Sequence, residues 1–193
     1  MADTTNNESI SEIVPKTLGK HLVGSVSSLR EYYQEFPSAN RKLRMPSISV
    51  FVSSAPFRAI TPYLKKEVTP ADITNSKANV LWVVGIYDFT MQVDLWARTK
   101  EERDDLTDQL FNALNPNINP MGVVLPMEEY FGQLCDYVYN GHETNDSEER
   151  SQRDEWRMTF NVLATCRAIR TEKAFIIEQT QTSAELEADG EIS

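Results

Sequence analysis

The chain of 193 residues predicts an α+β fold. The expected form is a two-layer sandwich, with two main helices packed on one face of a mostly antiparallel sheet of four to six strands. Three observations predict it. Apolar and polar residues alternate from Tyr87 to Arg98, the period of a half-buried strand. An amphipathic segment with a helix start signal follows without a linker, from Thr99 to Leu114. A second long alternating run, Glu155 to Ile169, comes late in the chain. Strands that alternate in this way cover only one face of their sheet, and helices supply the second layer.

From the N-terminus, residues 1–9 are polar and aperiodic and predict a disordered arm. Between Pro15 and Phe36 the residues Leu18, Leu22, Val26, Leu29, Tyr33 and Phe36 recur at helical spacing, which predicts one helix ended by Pro37. Pro15 suits its start, where the missing N–H is no loss, while Gly19 and Gly24 weaken its first half. The β-branched run Ser47 to Ser53 lies between Pro46 and Pro56 and predicts a short strand. Pro62 confines the following stretch to an edge strand or an irregular loop. Thr69 to Asn79 has loop composition.

Val80 to Gly85 predicts a strand, with Gly85 marking a turn, bulge or bend. In the alternating run after it, Tyr87, Phe89, Met91, Val93, Leu95 and Ala97 face the core. Asp88, Thr90, Gln92, Asp94, Trp96 and Arg98 face away. Thr99 is the N-cap of the next helix and Glu102 completes a capping box, with Glu101 and Glu102 placed favourably in the helix dipole. Leu106, Leu110, Ala113 and Leu114 form the buried stripe, and the Asn/Pro run from Asn115 to Pro120 stops the helix. Gly122 to Pro126 predicts a short strand. Gln133 to Glu143 predicts another, with Cys135, Tyr137 and Tyr139 on one face. The last strand turns Trp156, Met158, Phe160, Val162, Ala164, Cys166 and Ala168 inward. The wholly polar stretch Thr144 to Asp154 makes these two strands a hairpin with a long mobile loop. A flexible acidic tail is expected over 179–193, leaving a single domain over 10–178.

The net charge of −10 argues against a grip on nucleic acid, which needs clustered Lys and Arg, but suits a wall past which DNA slides. Cys135 and Cys166 are too few for a disulfide framework and lack zinc spacing, so they are expected as free core thiols in a reducing compartment. The first residues lack the pattern of a secretory signal, and no apolar run reaches the length of a membrane span. A soluble protein made in the cytoplasm is expected.

Catalytic motifs are absent, and no enzyme, cofactor or metal role is expected. His21 and His142 belong to no cluster, and the few glycines form no phosphate-binding loop. Asp88 and Asp94 lie on one strand face about 20 Å apart, too far for a carboxylate pair. A small-molecule-binding or enzymatic domain working as a dimer is the alternative, with His142, Asp88 and Asp94 its only candidate residues. The outward residues Trp96, Arg98, Arg157 and Arg167 are of the types enriched at interface hot spots. A ring aimed away from the core is covered either by a sister subunit or by the chain itself, through the Thr99 helix or a terminal arm. The subunit interface is the expectation carried forward. Glu148, Glu149, Arg150 and Arg153, in the charged loop, are expected to meet a partner.

The strand–helix unit from Tyr87 to Leu114, with Val93, Asp94 and Trp96 at the end of its strand, resembles the tail terminator and tail completion proteins of tailed bacteriophages. The long closing strand, Asp154 to Ile169, is similar to the last strand of that fold. The similarity covers roughly Val80 to Ile169, and the chain differs in a longer insert around Phe57 to Asn79 and in longer ends. The resemblance implies a structural virion protein of the tail or neck that forms a ring, usually a hexamer, and caps the tail tube. Its partners would be copies of itself, tail tube and sheath proteins, and the connector proteins of the head. DNA would pass through the lumen without specific binding. It carries over no catalytic residue.

Overall fold

A computed structural model describes residues 9–36, 43–72, 77–116, 122–144 and 155–175. Its elements are α1 (Ile10–Ser25), β1 (Glu31–Tyr33), β2 (Ser47–Ser54), β3 (Phe57–Asp72), β4 (Lys77–Ala97), α2 (Lys100–Leu114), β5 (Val123–Met127), β6 (Gln133–Thr144) and β7 (Trp156–Phe175). The strands form one seven-stranded sheet in the order β1-β2-β4-β7-β6-β5, with β3 paired to β4 beyond the end of β2. Only β1 and β2 run parallel. Both helices pack on the same face, so the α+β sandwich is as expected, with more strands.

The spine of the sheet is the antiparallel ladder of β4 on β7. It runs from Lys77 opposite Phe175 to Ala97 opposite Trp156, with one register shift at Gly85. The two alternating runs of the sequence are therefore neighbours, and their apolar halves meet rung by rung: Leu95 with Met158, Val93 with Phe160, Met91 with Val162, Phe89 with Ala164. Ile48 and Val50 of β2 continue these rows on one side, and Cys135 and Tyr137 of β6 on the other. Leu18 and Leu22 of α1 and Leu106, Leu110 and Leu114 of α2 close the core from above. Tyr137 donates its hydroxyl to the Val14 carbonyl at 2.9 Å, tying α1 to the sheet at a buried point. Cys135 and Cys166 face each other in register as free, buried thiols. The neighbouring thiol and burial hold Cys135 far above the usual thiol range.

α2 follows the sequence closely. Thr99 Oγ1 accepts from the Glu102 amide at 3.0 Å as expected, while the Glu102 carboxylate takes the amide of Arg98, one residue before the N-cap, at 2.7 Å in place of the Thr99 amide of a capping box. The first helix departs from expectation at both ends. It starts at Ile10, because Ser9 is an N-cap whose amide donates to Glu12 Oε2 at 3.1 Å, so residue 9 is no part of a disordered arm. Pro15 consequently lies inside the helix. The chain leaves the helix after Ser25, turns at Val26 to Leu29 and enters β1. Val26, Leu29 and Tyr33 are buried as expected, but from a turn and a strand. Gly19 permits this path: a Cβ there would lie 2.5 Å from the Tyr32 ring, so only glycine lets β1 pass so close to α1.

β4 begins at Lys77, so most of the stretch read as a loop is strand, and β3 extends to Asp72. The β3 segment is an edge strand, as Pro62 required, and its pairing with β4 shifts between Ala59 and Leu64. Gly85 marks a bulge within one continuous strand. The expected arm over 1–8, tail over 179–193 and loop over 145–154 lie outside the described residues.

Replacing Leu110, which is fully buried, with Ala is expected to lower the unfolding free energy by about 2–5 kcal/mol. Thr99→Ala is expected to lower it by about 1 kcal/mol through loss of the cap. Urea denaturation checks both.

Candidate functional site

The helices leave one face of the sheet uncovered, and the outward residues of the sequence all project there. This face divides into two halves of different chemistry.

The half over β2, β4 and the start of β7 is sealed. Two rungs cross it, Ser47–Trp96–Arg157 and Ser49–Asp94–Thr159. Asp94 is wholly buried and accepts from Arg157 Nη2 at 2.7 Å, from Thr159 Oγ1 at 2.8 Å and from Gln92 Nε2 at 2.9 Å. A buried carboxylate is tolerable only with such partners. Trp96 donates its indole N–H to Ser49 Oγ at 3.0 Å. The lid is Phe36, just beyond β1. Its ring meets Trp96 edge-on at 5.6 Å, and the Arg157 guanidinium lies against both rings, 5.0 Å from Phe36 and 5.3 Å from Trp96.

This arrangement corrects two of the four expected interface residues. Trp96 is 2 % exposed and Arg157 is 7 % exposed within the single chain. Neither the Thr99 helix nor a terminal arm provides the described cover. It comes from Phe36, which the sequence pattern had placed on a helix. Arg98 is exposed, but its guanidinium bonds to the Met45 carbonyl and so fastens the segment entering β2. Arg167 alone remains an exposed cation on the sheet face, without an ion pair among the described residues. Glu148, Glu149, Arg150 and Arg153 lie outside the described residues.

The half over β5, β6 and the middle of β7 is open and apolar. Val124, Leu134, Val138 and Leu163 are 53, 60, 42 and 41 % exposed. Val138 and Leu163 are direct cross-strand partners. Phe131, in the turn between β5 and β6, adds an aromatic ring that is 53 % exposed. Inward neighbours on these strands are buried or partly buried, so the exposure belongs to the face and not to frayed strands. The sequence signal for this surface was available: Leu134, Val138 and Leu163 interrupt the polar half of their alternating runs, as Trp96 does.

The residues that a catalytic reading would need do not converge. Asp94 is sealed. Asp88 accepts from Arg58 Nε at 2.8 Å and from Thr165 Oγ1 at 3.1 Å. His142 sits on β6 against Phe160, bonded to the Tyr139 hydroxyl. Among the described residues, no three His, Cys, Asp or Glu side chains are grouped to hold a metal. Comparison with protein-family models and with curated proteins finds no match.

Asp94→Ala leaves Arg157 buried without its carboxylate and is expected to destabilise the fold by about 3–5 kcal/mol. Most of that loss is expected to be recovered in Asp94→Ala with Arg157→Met, read in a double-mutant cycle. The bond from Arg58, aided by Thr165, holds the Asp88 carboxyl below its usual range. Asp88 thus contributes stability above the ordinary carboxylate range, and that contribution is lost as pH falls through its lowered value. In an NMR titration the Asp88 carboxyl is expected to have its midpoint below that of Asp88 in the Arg58→Ala variant.

Proposed function

We propose that the chain is a structural subunit of a bacteriophage tail or neck, which assembles with copies of itself into a ring, caps the tail tube and offers a docking surface to the head. The open apolar half of the sheet face supports association with other proteins or copies in general, while the ring itself rests on the resemblance. Contiguous exposed apolar surface of this kind marks contact sites on soluble proteins. The virion part rests on the resemblance of the strand–helix unit, now described as β4 and α2, together with β7 as the closing strand beside β4. Trp96 no longer contributes, since its own chain shields it.

In this reading the subunit blocks further growth of the tube geometrically, presenting a tube-like surface on one side and no polymerising surface on the other. Six copies are the expected number. Neighbours in a closed ring use two different patches, one on each flank of the subunit. Tube, sheath and connector proteins would bind the ring's two ends. The outer side of α2 carries the exposed acids Glu101, Asp104, Asp105 and Asp108, which would repel DNA phosphates and let DNA pass. The site of action would be the virion, after assembly in the host cytoplasm.

Native mass spectrometry and negative-stain microscopy of the purified chain test the reading. Annular particles with a central hole are expected, at a mass that is a fixed multiple of the 22.0 kDa chain. A protein that stays monomeric at all concentrations and binds no tail tubes would remove it.

A further inference from the structure

The open half of the sheet face holds more than apolar residues. Asp136 projects from β6 between Leu134 and Val138, and Arg167 projects from β7 two residues beyond Thr165, the partner of Asp136. Both charges are exposed, and neither forms an ion pair among the described residues. Between them lies a groove of about 550 Å³, lined by Ile86, Gly132, Leu134, Asp136, Thr165 and Arg167. Phe131, which precedes the lining residue Gly132 in the chain, is a bulky residue held at φ +54°. That left-handed backbone is unfavourable for a side chain with a Cβ and here carries a half-exposed aromatic ring.

We infer that this face is a two-fold contact between two copies of the chain, in which Asp136 of each copy meets Arg167 of the other across a centre formed by Leu134, Val138 and Leu163. The surface is complementary to itself. It carries one acid and one base, unpaired at home, beside an apolar strip. A two-fold contact brings residue i to residue j and j to i, so a single patch of that composition satisfies both charges twice. Another class of partner would leave the pairing of equal and opposite charges unexplained. The groove receives an apolar side chain of the second copy, and Phe131 packs at the margin.

This inference does not rest on the ring reading. A two-fold contact closes at two copies, so it produces dimers by itself and face-to-face pairs of rings if rings form.

The test uses the full chain and three exposed positions, with circular dichroism to verify the fold. Analytical ultracentrifugation of the unaltered chain is expected to show association in even multiples. Asp136→Arg alone and Arg167→Asp alone each set like charges opposite one another and are expected to weaken that association at least about tenfold. Mixing the two variants restores opposite charges at every contact and is expected to restore pairing. Leu134→Glu is expected to abolish it in all combinations. A mixture that fails to pair, or an unaltered chain that never associates in even multiples, overturns the inference. Rings without pairing would sink this inference alone, and dimers without rings would sink the ring reading alone.

Discussion

The ladder between β4 and β7 is the constraint on which the other elements depend. It sets which residues share a row, and every further strand copies its register. β2 and β3 follow one another along the free edge of β4, with Ser54 opposite Thr90 and Phe57 opposite Tyr87. β6 continues the rows on the far edge of β7. A slip of one residue would carry Phe89, Met91, Val93 and Leu95 to the face without helices and Asp94 into the apolar core. The buried Asp94 thus opposes misregistration: its partners Arg157 and Thr159 are within reach only in the native alignment. Specificity of this kind is a reason for keeping a buried ion pair whose net stabilisation is small.

The two sides of the sheet solve different problems. On the helix side, aliphatic rows meet aliphatic helix stripes, and burial supplies the stabilisation in the usual way. On the other side the described residues supply a short strap after β1. Phe36 covers the part where a tryptophan, an arginine and an aspartate sit together, and leaves the β5–β6–β7 part bare. Arg157 suits this position because its guanidinium lies against two aromatic rings while still donating to a carboxylate. A lysine at the same point would keep the charge and lose the guanidinium's contact with both rings.

How much of this was legible in the sequence depended on whether the deciding interaction was local. The Thr99 helix was legible in full, since its cap, stripe and stop all lie within its own residues. The faces of β4, β6 and β7 were legible from period-two alternation. The first helix was misjudged because Val26, Leu29 and Tyr33 keep a spacing of three or four while passing through a turn into a strand. Burial against one core produces that spacing without a helix, and the start signal at Ser9 and Glu12 was the better guide. Lys77 to Asn79 read as loop although they pair with Thr69 to Asp72 nearby in sequence and with Lys173 to Phe175 about a hundred positions away. Composition reports neither partner.

The candidate site shows the same division. Trp96 was correctly assigned to the helix-free face, and the inference from face to interface failed at the next step. An outward aromatic signals that something covers it, and alternation along a strand does not say what. The cover came from a residue sixty positions earlier whose own element had been misassigned. Leu134, Val138 and Leu163 break the alternation in the same way with smaller side chains. Their exposure is the physical content that Trp96 lacked: apolar area, adjacent in register, beside an acid and a base that form no ion pair among the described residues. An interface residue must be left unsatisfied by its own fold. By that criterion the surface proposed for a contact lies on β5, β6 and β7, and of the four residues first assigned to an interface, Arg167 is the one on that surface.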